Sequence, residues 1–339
     1  MLEGFAKYRC AVVILNWNGS EHLRKFLPSV VEHTPSWVDI VVADNGSSDC
    51  SCFVVKSEFS PRVELLMMEE NRGFAGGYNH ALSQLPHDYF ILLNSDVEVE
   101  AQWVEPLIEQ MESDPTVGIT GSKLRSYTHP EMFEYAGAAG GFIDYLGYPY
   151  CRGRVMSHIE RDNGQYDDAR DLFWVSGAAL SIRASLFKEL GGFDTDFFAH
   201  MEEIDLCWRA QLLGYRVRVV PQSVVYHLGG GTLTTESPHK TYLNHRNNLA
   251  MLYKCAPPIQ RCVVAVVRPV LDLAAALSYL LQGRVESFWA VFQAWATFLK
   301  WHTELTRKRN AIRDSVRQES KYIYKGSIIL HTRRRLPKL

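Results

Sequence analysis

Apolar residues gather in short runs along the first 125 residues, and the spacing inside each run predicts an element. Residues 11–15 are continuously apolar and predict a buried strand. Between 21 and 31, Leu23, Phe26, Leu27, Val30 and Val31 repeat at the spacing of one helical face. Runs at 40–43, 63–68 and 89–93 predict three more strands, with helices over 53–59 and 77–85 between them. Continuous apolar strands alternating with helices predict a parallel sheet covered on both faces. Beyond the middle of the chain, 173–182 predicts a strand, 184–190 a helix and Gly191-Gly-Phe-Asp194 a turn. A helix over 202–213, stopped by Gly214, and a strand over 216–220 follow. The stretch 126–170, rich in Tyr, Gly and Arg, predicts irregular loops or short antiparallel strands.

The carboxyl third has a different pattern. Residues 263–281 are apolar except for Arg268, Pro269, Asp272 and Ser278, and 288–301 is a second apolar stretch with three tryptophans. A spanning helix needs about 20 mostly apolar residues. Two charges and a proline point instead to a helical hairpin lying in a membrane interface. The alternative is a helical pair packed on the body or on a second subunit. Charge adds to this picture. The formal net of -2 hides a split: from Arg284 onward thirteen Lys/Arg face four Asp/Glu, a balance of +9, so the preceding residues carry -11. An acidic body with a basic end suits two environments, and the stretch Arg307-Lys-Arg309 would face anionic lipid.

Composition excludes more than it identifies. Apolar residues make up 47% and charged residues 22%, which rules out general disorder. Seven cysteines, an odd number without a CxxC pair, make a disulfide framework or zinc ribbon a poor reading and fit a reducing compartment such as the cytoplasm. Lys7 and Arg9 precede an apolar run too short for a signal-peptide core.

Candidate chemistry lies at strand ends, where ligands bind in parallel α/β sheets. Asn16-Trp-Asn18 follows the first strand, Asp44-Asn45 the second and Asn94-Ser-Asp96 the fourth, and these should converge on one rim. Singly, Asp44 and Asp96 read equally well as solvated loop residues. Together they suggest a nucleotide and a divalent metal, since Mg²⁺ or Mn²⁺ takes carboxylate and phosphate oxygens. Gly73-Phe-Ala-Gly-Gly77 matches neither a dinucleotide fingerprint nor a P-loop. Its glycines would let backbone and a helix N-terminus approach a ligand closely. Glu202-Glu-Ile-Asp205 opens a helix, where acidic residues suit the macrodipole or could supply a general base. His227, before Gly229-Gly-Gly231, reads as a core histidine or as a metal ligand.

At this point the residues resemble family 2 glycosyltransferases of the nucleotide-diphospho-sugar transferase (GT-A) fold, especially the rhamnosyltransferase-like branch. The matching segments are Val13-Ile-Leu-Asn-Trp-Asn18, Ile40-Val-Val-Ala-Asp-Asn-Gly-Ser-Ser-Asp49, Asn71-Arg-Gly-Phe-Ala-Gly-Gly77 with Asn79, and Leu93-Asn-Ser-Asp-Val97. Ser176-Gly-Ala-Ala179, Gly191-Gly-Phe-Asp194, Glu202-Glu-Ile-Asp-Leu206 with Arg209, and His227 continue them, so the resemblance covers roughly 10 to 235. It implies an α/β three-layer domain with a mostly parallel sheet over 1–255, divided into a nucleotide-binding half (8–125) and an acceptor half (126–255). The remaining 256–339 is expected to be a helical, basic, membrane-associating extension.

The resemblance also implies roles. Asp44, with Leu15, Asn16 and Asn18 as neighbours, would bind the donor's base. Asn71, Arg72, Gly73, Asn79 and Asn94 would contact the rest of the nucleotide sugar, Arg72 and Gly73 at its pyrophosphate and ribose. Asp96 and His227 would hold the metal, and Trp174 and Gly177 would meet the acceptor. Glu203 stands where the family has its catalytic Asp, one methylene longer, which leaves Glu202 and Asp205 as rivals. Asn94 replaces the first Asp of the DxD motif and is a weaker ligand. The implied activity is metal-dependent, inverting transfer of a sugar, rhamnose among the candidates, from a nucleoside diphosphate to a saccharide or lipid-linked acceptor. Its setting would be cell-surface polysaccharide or glycolipid synthesis on the cytoplasmic face of the membrane, with no nucleic-acid partner. A sugar-phosphate nucleotidyltransferase is the rival enzyme, but Asn16-Trp-Asn-Gly-Ser20 lacks the Arg and Lys it would need. A non-catalytic membrane-associated sugar-nucleotide-binding module is the other rival, and the acidic positions are intact against it.

Overall fold

The computed structural model describes residues 9–229 and 237–329. The chain opens with β1 (Cys10–Asn16), α1 (Ser20–His33), β2 (Val38–Asp44), α2 (Ser51–Val54, continued by a π-helical turn over Val55–Phe59), β3 (Val63–Met67), α3 (Gly73–Ser83) and β4 (Tyr89–Asn94). These are the expected elements, and β3, β2, β1 and β4 lie side by side in parallel. Alternate residues of β1 serve opposite cores: Ala11 and Val13 pack with Ala75 and Tyr78 of α3, while Val12 and Ile14 pack with Leu23 and Leu27 of α1. Both faces are therefore buried, which is why these strands are apolar without alternation.

The helix expected at 77 begins at Gly73, so the glycine-rich loop is the first turn of α3 itself. The next elements are β5 (Val97–Val99), α4 (Glu105–Ser113) and β6 (Val117–Ser126). The apolar pattern did not announce α4 or β6, whose sequence interleaves Gly118, Gly121 and polar residues. Four short strands then cross the insert: β7 (Gly141–Asp144), β8 (Pro149–Cys151), β9 (Arg154–Val155) and β10 (His158–Ile159). They form a small antiparallel sheet of their own.

The chain returns through β11 (Arg170–Leu172), β12 (Ala179–Arg183), α5 (Ala184–Glu189), α6 (Glu202–Leu212) and β13 (Arg216–His227). The main sheet is mixed in this half. β12 runs antiparallel to both β4 and β6, whereas β13 is parallel to β6. The insert sits at the rim where β6 ends, so the chain re-enters the sheet from that rim and must run the opposite way. The strand expected at 173–182 starts only at Ala179, because Phe173 and Trp174 bond across to Gly141 instead.

The carboxyl third is helical: α7 (Pro238–Cys255), α8 (Pro258–Leu281), α9 (Val285–Lys300) and α10 (His302–Ser315). A short β14 (Ile323–Tyr324) then adds to the small sheet beside β7. The two charges inside α8 turn inward. Arg268 donates to the Leu146 carbonyl (2.9 Å) and pairs with Asp272 (3.2 Å), and Trp295 of α9 donates to the same carboxylate (2.9 Å). Outward, Ile259, Val263, Val266, Val270, Leu273 and Leu277 recur every three or four residues and are exposed, joined by Trp289 and Phe292 of α9. Among the described residues α8 is the one helix long and apolar enough to cross a membrane. The expected free cations of 307–309 are engaged: Arg307 pairs with Glu304 (2.5 Å), Lys308 with Asp194 and Asp196 (2.5 and 2.6 Å), and Arg309 lies over the Tyr253 ring (4.9 Å). Arg333, Arg334 and Arg335 of the basic end lie outside the described residues.

Candidate active site

The parallel register brings the polar strand ends to one rim. Asn16 pairs with Asp44 and Leu15 with Asn94 across adjacent strands. Asn16 Nδ2 donates to Asp44 Oδ1 (3.0 Å) and to Ser47 Oγ (3.3 Å), and the other oxygen of Asp44 accepts from the Ser47 amide (3.0 Å). Asn18 closes the same unit, its Oδ1 accepting from the Ser48 amide (2.8 Å). Asp44, Asn16 and Asn18 thus form one cross-braced cluster, with Trp17 exposed between the two asparagines.

The segment before α3 is tied to that cluster by Asn45. Its Nδ2 donates to Asn71 Oδ1 (3.0 Å) and the Gly73 carbonyl (3.1 Å), and its Oδ1 accepts from the Arg72 amide (3.0 Å). Arg72 extends half-exposed, its guanidinium 3.5 Å from Glu70. Leu15 packs where a side chain at Gly77 would go. The N-terminus of α3, expected to meet a ligand, is filled by the chain itself. The Phe198 carbonyl accepts from the Phe74 amide (2.8 Å), and a Cβ at Gly73 (φ +68°) would sit 2.5 Å from the Phe198 ring. Asn79 is a second correction. Both ends of its amide bond the Phe193 backbone (2.8 and 2.9 Å), so it anchors the Gly191–Gly192 turn to α3 instead of facing the donor.

The fourth strand end forms the other half of the site. Asp96, 7% exposed, lies 3.3 Å from His227 Nε2, and the Asn94 amide lies 3.4 Å from the same nitrogen. On its far side His227 Nδ1 faces Glu134 (3.4 Å), a residue of the irregular insert that no sequence pattern singled out. Burial alone would lower the His227 pKa, but the Asp96 and Glu134 carboxylates on either side of the ring outweigh that and push it up to about 10. Burial raises and the His227 contact lowers Asp96, with a net fall below its ordinary value. Only with its proton displaced could the His227 imidazole join the Asp96 carboxylate and the Asn94 amide oxygen around a divalent cation, whose other ligands would be phosphate oxygens and water. Among the described residues no cluster of three or more His, Cys, Asp or Glu closes around a point.

Of the three acidic residues at the start of α6, Asp205 is set apart by its partners, and Glu202 and Glu203, each with an Oε2 lacking a hydrogen-bond partner among the described residues, differ in burial. Asp205 is fully buried and spent on Arg209 (2.7 Å) and Lys254 (2.8 Å), which accounts for its position without chemistry. Glu202 is buried, and burial together with Glu203 raises its pKa well above the ordinary range. Glu203 is only partly buried and packs against Gly177 and, through it, Phe74. Its Oε2 has no hydrogen-bond partner among the described residues, and burial raises its pKa to about 7. Gly177 leads into Ala178, whose carbonyl accepts from the Asn94 amide (3.0 Å), so Glu203 and the Asp96–His227 pair border the same rim. Trp174 does not. It is 2% exposed, with its indole against Gly141 and Nε1 donating to the Phe142 carbonyl (3.0 Å), which makes it a core residue of the insert. Arg154 was not anticipated either. It is 8% exposed, lies over the Tyr135 ring (4.7 Å), and its Nε has no hydrogen-bond partner among the described residues.

The family model described as glycosyl transferase family 2 matches residues 11–190, more than half of the chain. The chain belongs to that family. A second model, glycosyl transferase family group 2, matches 153–246 and so reaches past α6 and His227 of this glycosyltransferase. An N-acetylglucosaminyl-diphospho-decaprenol L-rhamnosyltransferase of Mycobacterium tuberculosis is 28% identical over 64% of this chain and 75% of its own length. A pre-mycofactocin glycosyltransferase of the same organism is 27% identical over 64% of the chain but only 42% of itself. Among solved structures, GalNAc-T7 with UDP, GalNAc and Mn²⁺ aligns at TM-score 0.61 and 18% identity, covering 77% of this chain and 50% of that one. The Pyrobaculum calidifontis mannosyltransferase PcManGT with GDP-Man and Mn²⁺ aligns at 0.53 and 16%, covering 91% and 87%. The fold of the family 2 glycosyltransferase is accordingly the GT-A fold, with a mixed sheet and an added helical region.

Proposed function

We propose that this glycosyltransferase moves a sugar, with rhamnose the first to test, from a nucleoside diphosphate to a saccharide or lipid-linked acceptor by a single inverting displacement. The observation that carries the reading is Glu203: its Oε2, like that of Glu202, has no hydrogen-bond partner among the described residues, but Glu203 alone of the two is only partly buried, against Gly177 on the rim of Asp96 and His227. Asp44 and Asn16 would receive the base, and Asn71 and Arg72 the ribose and pyrophosphate; Gly73, covered by Phe198 and with its amide bonded to Asn71, is not among the contacts. Asp96 and His227, with Asn94 beside them, would hold Mg²⁺ or Mn²⁺, which when bound offsets charge developing on the leaving nucleoside diphosphate. Glu203 takes the proton of the attacking acceptor hydroxyl, on the Gly177 side of the rim. The buried Arg154 guanidinium supports an acceptor that carries an anion, as a lipid-linked sugar phosphate does. A hydrolysis screen over dTDP-, UDP- and GDP-sugars with Mn²⁺ tests the donor class. Turnover of none of them would end the reading.

A base must be unprotonated before it can act. With Glu203 near 7, the rate should climb as pH rises through about 7 and flatten above it. A rate already flat from pH 5 upward would assign the base to another group.

The exposed stripe of α8 and α9 supports seating on a membrane surface, where a lipid-linked acceptor resides. The apolar stripe carries this inference; of the 307–309 cations, Lys308 is held by Asp194 and Asp196 while Arg307 stays 70% exposed. Each fully buried Val or Leu side chain is worth about 1.5–3 kcal/mol. Val266→Glu with Leu277→Glu is expected to reduce co-sedimentation of the full chain with phosphatidylglycerol-containing vesicles by roughly tenfold or more. Unchanged co-sedimentation would remove the membrane from the proposal.

A further inference from the structure

The segment leading into α6 is held in an unfavourable backbone conformation. Phe198 (φ 61°), His200 (68°) and Met201 (71°) all lie in the region that favours glycine, within four residues. Such a conformation is unfavourable for a residue with a side chain and persists only where its surroundings enforce it. Here the enforcement comes from α7. Buried Asn247 turns its Nδ2 to three carbonyls of the segment, Phe197 (3.0 Å), Ala199 (2.9 Å) and His200 (2.7 Å). Its neighbour Arg246 donates to the carbonyls of Asp196 and Phe197 (both 3.0 Å) and lies over the Trp301 ring at the end of α9 (4.6 Å). Lys254 of α7 and Lys308 of α10 grip the Asp194 carboxylate just upstream.

The strained residues end where the candidate base begins. The Met201 carbonyl accepts from the Asp205 amide (2.9 Å) as the first turn of α6, so rotation at 198–201 would re-aim Glu202 and Glu203. The same segment presses Phe198 onto Gly73 beside the donor-binding residues. Ordinary anchoring of α7 would not require three left-handed residues at this one place. We propose that Asn247 and Arg246 are positioning residues for Glu203, and that the carboxyl-terminal helices thereby set the aim of the base. This inference rests on the reading of Glu203 as the base.

The test is a cycle between Asn247→Asp and Glu203→Gln in the full chain, using the nucleotide sugar hydrolysed in the donor screen. A misplacement near 1 Å can cost about 10²-fold. Asn247→Asp, which replaces the donor to three carbonyls by an acceptor, is expected to lower kcat by roughly that factor. KM for the donor and calorimetric binding of UDP or dTDP should stay within about twofold, and the rise near pH 7 should move. In the Glu203→Gln background the second substitution should add nothing, because residues acting as a unit are non-additive. Equal losses in both backgrounds, or a parallel rise in KM, would overturn the positioning role while leaving the base intact. Near-normal turnover of Glu203→Gln alone would overturn the base reading instead. Arg246→Lys, which keeps the charge but loses the forked donor, supplies the same comparison if Asn247→Asp does not fold.

Discussion

Glu203→Gln is expected to lower turnover by about 10²–10⁴-fold while nucleotide binding stays unchanged, the cost of removing a well-placed general base. The substitution keeps the shape of the side chain and its place against Gly177, so donor affinity measured by calorimetry should match the parent. The same change should stabilise the fold at alkaline pH. Burial lifts the Glu203 carboxyl from its ordinary 4.5 to about 7 in the folded protein. A proton held more tightly in the folded state stabilises it fully below about 4.5, and that contribution disappears as pH rises through about 7. Glutamine, neutral throughout, avoids the loss. The unfolding midpoint of the variant at pH 8 should therefore lie above the parent's, and at pH 4 the two should coincide. Reduced turnover with a lower midpoint at pH 8 would mean that the substitution acted by damaging the fold.

Asp96→Ala is expected to abolish the Mn²⁺-dependent part of nucleotide binding. Asp96 follows the end of β4, and without it a cation would meet only the Asn94 amide and a histidine that must first give up its proton, a weak set. Loss of an outer partner of a metal ligand already costs about 10–100-fold in metal affinity, so loss of the carboxylate itself should exceed that. UDP or dTDP titrated without metal should bind as before, since the Asn16–Asp44–Ser47 cluster does not involve Asp96. A variant whose titration with Mn²⁺ matches the parent's would remove Asp96 from the metal site.

Asp96 was legible as a candidate because its signal, a polar residue after an apolar strand, is local, whereas the role of Glu203 came from the family resemblance, with Glu202 and Asp205 as rivals. An apolar strand followed by a polar residue needs no knowledge of the rest of the chain, and parallel strands carry such residues to the same rim. Strand and helix periodicity were readable at β1, α1, β2 and β4 for the same reason. Where an element draws its burial from distant partners, periodicity faded. α4, β6 and α7 mix polar and small residues into buried surfaces and gave little pattern. Trp174 and Asn79 were misassigned to ligands because residue type shows only what a side chain can do. Its available partners, the Phe142 carbonyl and the Phe193 backbone, are set by packing.

The charge split and the apolar pattern of the carboxyl third belong to the sequence, and so do the polar strand ends and the acidic start of α6. Tertiary structure decided which of those groups remain available. It spent Asp205 on Lys254 and Arg209, tied Lys308 to Asp194 and Asp196, and filled the α3 N-terminus with Phe198. It left Glu203 only partly buried, its Oε2 without a hydrogen-bond partner among the described residues, and placed Glu134 behind His227. The physical reason is separation along the chain. His227 and Glu134, Asn247 and His200, and Lys308 and Asp194 are brought together only by the packing of whole helices and sheets, whereas the strand ends are written residue by residue.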